Sequence, residues 1–196
     1  MKKNRSSQYC RRMRNRAGEE TAVRIADAAR QILAESGLEA ATVKAICDRA
    51  RVRPGSFYNL FDSKETVILE VIRQAIVAVD PDPQRTGSDH VTDLVEAFVR
   101  FVEDQPELAR VYVTVGVSGG ITDPGIRARM LRHHSERVER FTSALLRDRP
   151  EMATHEARRT IEALLAALNG YTLQRMLDPE FDFAGHARAL MELEPR

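Results

Sequence analysis

The stretch RVRPGSFYNLFDSKE, residues 51–65, crowds cationic, small polar and aromatic side chains into one short segment. Those residue types suit contact with a nucleic acid. Arg53, Pro54, Gly55, Ser56 and Asn59 are short or polar and open a short helical segment. A helix whose first turn must enter a major groove about 12 Å wide needs such side chains there. Tyr58 adds a rigid ring whose hydroxyl can reach a phosphate. Ser63 and Lys64 begin the next helix, where unbonded N–H groups and the positive dipole end favour an anion. Thr42 holds the same kind of position at the start of an earlier helix. The structural alternative is that the aromatics are core. Phe57 and Phe61 are four residues apart, share a face, and are read that way. Some of Arg49, Arg51 and Arg53 are then ordinary solvated arginines.

Other chemistries find less support. His133 and His134 adjoin, but neighbours on a helix point about 100° apart, so the pair does not chelate one metal. His133 and Arg137 share a face and supply no second ligand. No nucleophile elbow, no phosphate-binding glycine loop and no paired carboxylates in a cleft are present, so neither catalysis nor a cofactor is expected. Cys10 and Cys47 fit neither a metal spacing nor a disulfide framework, which points to a reducing, cytoplasmic setting.

The elements that must position these residues are helical. Apolar residues recur every three and four positions, and the one β-branched run, VYVTVGV (111–117), lies beside helical patterns. A first helix over about 20–36 places Ala22, Ile25, Ala26, Ala29, Ile32 and Leu33 on its inner stripe, and Gly37 ends it. Thr42 is a good N-cap for a helix over 43–50. Pro54 and Gly55 open a third helix through Phe61, and Ser63 caps a fourth. DPDPQRTGSD (80–89), with two prolines and a glycine among polar residues, reads as a linker. Beyond it, helices are expected at about 90–104, 107–117, 125–148, 154–177 and 183–192. The SGGITDPG segment (118–125) between two of them reads as a flexible loop able to gate a cavity.

With 196 residues, 43% hydrophobic and 30% charged, the chain has the composition of a folded protein. No apolar run is long enough to span a bilayer, so no membrane partner is expected. The basic start, MKKNRSSQYCRRMRNR, has no apolar segment after it and does not read as a secretory signal. Residues 1–73 hold 15 Lys and Arg against 9 Asp and Glu, net +6, while residues 74–196 hold 15 against 20, net −5. A basic first part suits an anionic partner, and an acidic second part suits another task. The tail is either an arm for a polyanion or a solvated extension, and Met13 offers an alternative start.

Residues 20–76 resemble the DNA-binding domain of TetR-type transcriptional regulators. The resemblance is carried by ILAESGLEAATVKAICDRA followed by VRPGSFYNLFDSKETVILEVI. It implies an all-α fold, with a three-helix helix-turn-helix domain over 17–78 and a helical effector-binding and dimerisation domain over 79–196. It further implies that Thr42, Tyr58 and Lys64 hold phosphates, while Arg53, Gly55, Ser56 and Asn59 face bases or backbone. Three positions depart from the family's pattern. Leu60 stands where a histidine is frequent, Arg51 where glycine is frequent, and Cys47 where alanine is usual. If position 51 needs positive φ, arginine costs roughly 1 kcal/mol there.

The family's C-terminal helices bind small molecules and dimerise, so the resemblance implies both here. The expected lining of an effector pocket is Phe98, Phe101, Val102, Tyr112, Val115, Met130, His134, Phe141, Leu165, Asn169 and Tyr171. The expected dimer stripe on the 154–177 helix is Ile161, Leu164, Leu168, Thr172 and Arg175, with intramolecular core as the competing reading. The function implied is a cytoplasmic, homodimeric repressor released from double-stranded operator DNA by a small apolar or amphipathic effector. The rivals are a DNA-binding regulator with no effector and, more remotely, an all-helical enzyme or scaffold.

Overall fold

Helix is the only regular structure among the described residues, as the three- and four-residue apolar spacing demands. The computed structural model describes residues 4–79 and 90–192, and the side chains of 4–16 and 116–122 lie outside that description. The basic tail's side chains and the 80–89 linker therefore fall outside the described residues. The elements are α1 (Asn4–Ala40), α2 (Val43–Ala50), α3 (Pro54–Tyr58), α4 (Lys64–Val79), α5 (Val91–Asp104), α6 (Pro106–Thr122), α7 (Pro124–Asp148), α8 (Thr154–Leu177) and α9 (Phe183–Glu192).

Local signals explain most boundaries. Gly37 takes φ 78° and breaks α1 into two helical parts, the conformation that glycine adopts without steric cost. The third helix is shorter than its sequence suggests. It ends at Tyr58, and the chain then tightens into a turn in which Leu60 and Phe61 both donate to the Phe57 carbonyl, each at 2.9 Å. The expected loop over 118–125 is corrected. The α6 backbone stays helical to Thr122 despite two glycines, and Asp123 alone separates it from α7. Asp123 accepts from the Ile126 N–H at 2.8 Å and Pro124 occupies the first helical position, so one residue is enough to start α7.

The chain divides into two units, Met1–Ile72 and Arg73–Arg196. In the first, α2 packs on α1 and α3 on α2. Its core holds Ile25, Ala29, Leu33, Ile46, Phe57, Val67 and Val71, all fully buried or nearly so. In the second, α5, α6, α7, α8 and α9 pack around Phe98, Val111, Val115, Ala144, Leu165, Leu168 and Phe183. Each such large side chain contributes about 1.5–3 kcal/mol by leaving water. Polar ties join the helices: Arg188 grips Glu96 through two contacts of 2.6 and 3.0 Å, joining α9 to α5. His90 caps α5 and bonds the Asp148 carboxylate at the end of α7.

Candidate nucleic-acid interface

The α2–α3 segment is assembled by caps and one strained residue. Thr42 is extended and its hydroxyl accepts from the Ala45 N–H at 3.1 Å. That leaves the Val43 and Lys44 N–H groups of the first turn without helical partners. Ile46, Cys47 and Ala50 bury the inner face of α2. Arg51 then adopts φ 56°, ψ 46° and ends the helix, while the Val52 N–H returns to the Cys47 carbonyl at 3.0 Å. A non-glycine residue in this left-handed region costs roughly 1 kcal/mol, the penalty the sequence raised at this position. Extended Val52 and Arg53 lead into α3, which starts with Pro54. Phe57 is fully buried and meets Phe61 at 5.9 Å and Tyr58 edge-on at 5.4 Å between ring centroids. Ser63 accepts from the Thr66 N–H at 3.3 Å and so opens α4.

This scaffold leaves one set of side chains facing out. Thr42, Arg53, Pro54, Gly55, Ser56, Tyr58 and Asn59 are exposed, and Lys64 is half-buried. Tyr58 is 56% exposed, unusual for a tyrosine whose neighbour Phe57 is fully buried. The cations divide into two kinds. Arg49 pairs with Glu35 at 2.7 Å and Lys44 with Asp48 at 2.8 Å. Arg51, Arg53 and Lys64 have no such partner among the described residues. A Cβ added to Gly55 would meet nothing within 4 Å, so nothing inside the chain requires glycine there. Leu60, the residue departing from the family's pattern, leans toward Gly18 of α1. Burial, then the Asp48 charge, pushes the Cys47 thiol above its ordinary range, so it is a packed thiol and not a thiolate.

In the second unit the candidate pocket residues separate. Phe98, Phe101, Val102, Tyr112, Val115, Phe141 and Leu165 are buried, and Met130, Asn169 and Tyr171 are half-buried. Phe101 lies 6.1 Å from both Phe98 and Tyr112, while Tyr171 instead packs on Phe181 and His186. His134 faces out, which corrects its place in the expected lining, because the inward position of α7 belongs to His133. Its ring is 5.7 Å from Tyr112. Burial, then the positive charges of Arg137 and His134, lowers the His133 imidazole to about 3. Arg137 is also buried, and the sequence reasoning gave it no role. One signal was available: His133, Arg137 and Phe141 recur at four-residue steps along the stripe that also carries Ile126, Val138 and Leu145.

The expected dimer stripe also needs correction. Ile161, Leu168 and Thr172 are at most 1% exposed within the single chain, so they belong to its own core. Arg175 reaches Glu103 of α5 at 3.8 Å, and Leu164 is half-buried. The face of α8 that points outward instead carries Ala163, Ala166, Gly170, Leu173 and Leu177, with Leu173 and Leu177 45% and 73% exposed. Among the described residues no group of His, Cys, Asp and Glu could hold a metal ion, and no helix is long and apolar enough to cross a membrane.

Comparison with known proteins places this geometry. The family model for bacterial regulatory proteins of the tetR family matches residues 25–71, which contain α2 and α3. The HTH-type transcriptional regulator UidR of Escherichia coli K12 is 30% identical over 131 residues, covering 65% of this chain and 65% of that protein. The HTH-type transcriptional repressor KstR2 of Rhodococcus jostii is 41% identical over 81 residues, 36% of this chain and 40% of its own length. The chain thus spans about two-thirds or less of these relatives. By fold it is similar to the TetR-family regulator PfmR of Thermus thermophilus, with TM-score 0.69 and 18% identity over 88% of this chain and 97% of that one. The fatty acid degradation regulator FadR of Bacillus halodurans superposes with TM-score 0.70 at 20% identity, over 88% of this chain and 93% of the other.

Proposed function

We propose, because the chain belongs to the TetR family of bacterial regulatory proteins, that it is a cytoplasmic, homodimeric DNA-binding transcriptional repressor released by a small-molecule effector. The observation that carries the DNA-binding part is the outward-facing set on α2, α3 and the start of α4. Exposed Tyr58 and Arg51, Arg53 and Lys64, which have no ion-pair partner among the described residues, lie near the helix-capping Thr42 in the same unit. In this reading Thr42, Tyr58 and Lys64 hold phosphates and fix register. Arg53, Pro54, Gly55, Ser56 and Asn59 meet the groove, and bare Gly55 lets the DNA come close. Salt dependence follows, because each neutralised phosphate releases counterions.

Two reading heads held about 34–36 Å apart match a two-fold operator. The outward stripe of Ala163, Ala166, Gly170, Leu173 and Leu177 is the contact we assign to the second subunit: small residues admit close approach and two exposed leucines gain by burial. The effector binds among α5, α6, α7 and α8. To release DNA it must favour the weaker-binding arrangement, and a ~100-fold release needs about 2.7 kcal/mol of coupling.

Selection of bound duplexes from a random pool, followed by fluorescence anisotropy of the winner, tests the reading. The full chain is expected to select a two-fold-symmetric site and bind it as a dimer. A monomer that ignores every duplex at low salt would refute it. A regulator that binds operator but answers to no small molecule is the second reading, and unchanged operator affinity across an effector screen would favour it.

A further inference from the structure

We propose that the unit of residues 73–196 binds a ligand carrying a single carboxylate on an apolar body, with Arg137 and His133 as the groups that receive the carboxylate. This deepens the effector reading above and rests on it for its regulatory meaning.

Arg137 is 5% exposed. Its guanidinium carbon stands 5.0 Å from the centre of the Phe98 ring, 5.7 Å from Phe141 and 6.0 Å from Tyr112. Its Nη1 donates to the Tyr112 hydroxyl at 2.9 Å. Its Nη2 is buried with no hydrogen-bond partner, and so is Nε2 of His133, one helical turn earlier on the same face. No carboxylate pairs with Arg137 among the described residues.

The guanidinium is thus a buried charge with no counter-charge among the described residues. Ring faces help, each by about 0.5–2 kcal/mol, and the phenol supplies one acceptor. Neither neutralises the charge, and an uncompensated buried ion costs several kcal/mol. A ligand carboxylate would do so, and its two oxygens fit the guanidinium fork. One guanidinium and one neutral imidazole together match a single negative charge, so a doubly charged phosphate would keep an excess. Phe98, Phe141 and the Tyr112 ring flank the cation with apolar surface, and that sets the character of the ligand's body.

Calorimetric titration of the full chain with octanoate, octan-1-ol, 4-phenylbutyrate and 4-phenylbutan-1-ol tests this. At least one acid is expected to bind about tenfold or more tightly than its alcohol. Arg137→Met should remove that preference, and Arg137→Lys should restore part of it. Equal binding of acids and alcohols, or no binding of either acid at millimolar concentration, overturns the proposal. A preference that survives Arg137→Met in a folded variant also overturns it. If the methionine variant does not fold, the acid-to-alcohol ratio of the unaltered chain and the lysine variant decide. Operator affinity measured with and without the acid separates the two claims: an acid that binds without moving DNA affinity refutes the effector reading and leaves the carboxylate site standing.

Discussion

Among the described residues neither Arg53 nor Arg137 has a carboxylate partner, but Arg53 stands in solvent before α3 whereas Arg137 is 5% exposed among three aromatic rings. In water an unpaired guanidinium costs little, and its attraction for a distant phosphate is screened within about 8–10 Å at physiological salt. Several such charges act together, and their joint effect fades as salt rises. In the helical interior the same group is expensive to leave alone and poorly screened, so it selects one desolvated anion at one place. The histidines and aromatics repeat the contrast. Phe57 is fully buried beside exposed Tyr58, and His133 is buried beside exposed His134. One step along a helix changes a packed side chain into an exposed one.

The largest expected effect tests the Phe57–Tyr58 boundary. Phe57→Ala empties the centre of the first unit and should cost about 3–5 kcal/mol in urea unfolding. Tyr58→Ala should cost far less stability and show instead as weaker DNA binding. Equal losses of stability would erase the distinction between the two rings.

The buried histidine gives the next effect, and its sign follows from a folded-state value held near 3. The unfolded chain takes up this proton below its ordinary value near 6.5, and the folded chain does not. Stability from this group is therefore whole above about pH 6.5 and is lost as pH falls toward 3. Between pH 6.5 and 4.5 that amounts to roughly 2 kcal/mol. Unfolding curves at pH 6.5, 5.5 and 4.5 should show His133→Phe falling less steeply than the unaltered chain.

Within the interface, Asn59→Ala should change preference at one or two base pairs by about 1–3 kcal/mol, while Lys64→Ala should weaken all duplexes alike and flatten the salt slope by about one unit. Anisotropy titrations on operator and scrambled duplexes over a range of salt separate the two. Uniform weakening by Asn59→Ala would move Asn59 to the backbone-contact group. The smallest effect concerns strain. Arg51→Gly relieves φ 56° and should raise stability by about 0.5–1 kcal/mol in thermal unfolding. Loss of DNA affinity in the same variant would show that Arg51, which has no ion-pair partner among the described residues, also touches phosphate.

Much of the fold was legible because its signals are local. A threonine hydroxyl caps the helix that follows it, a glycine takes positive φ, and a proline opens a helix, whatever lies elsewhere in the chain. That is why α2 lies where its pattern puts it, and the apolar spacing likewise put α8 and α9 at their observed spans. The same locality made the helix-turn-helix readable, since Thr42, Arg53–Asn59 and Lys64 are all set by caps and turns within one short stretch. The segment over 118–125 misled because glycine content alone suggested a loop, whereas Asp123 and Pro124 needed one residue to turn the chain.

By itself the sequence settled the helical class, the order of its elements and the short turn-and-helix segment over 51–59, because each depends on residues a few positions apart. Which side of α7 and α8 turns inward was decided only when the helices packed. Ile161, Leu168 and Thr172 went into the chain's own core, His133 took the inward place in preference to His134, and Arg137 was left among rings from three helices with no carboxylate partner among the described residues. Periodicity gives every helix an apolar face but does not say which neighbour will cover it, and that choice is made by contacts between residues far apart in the chain.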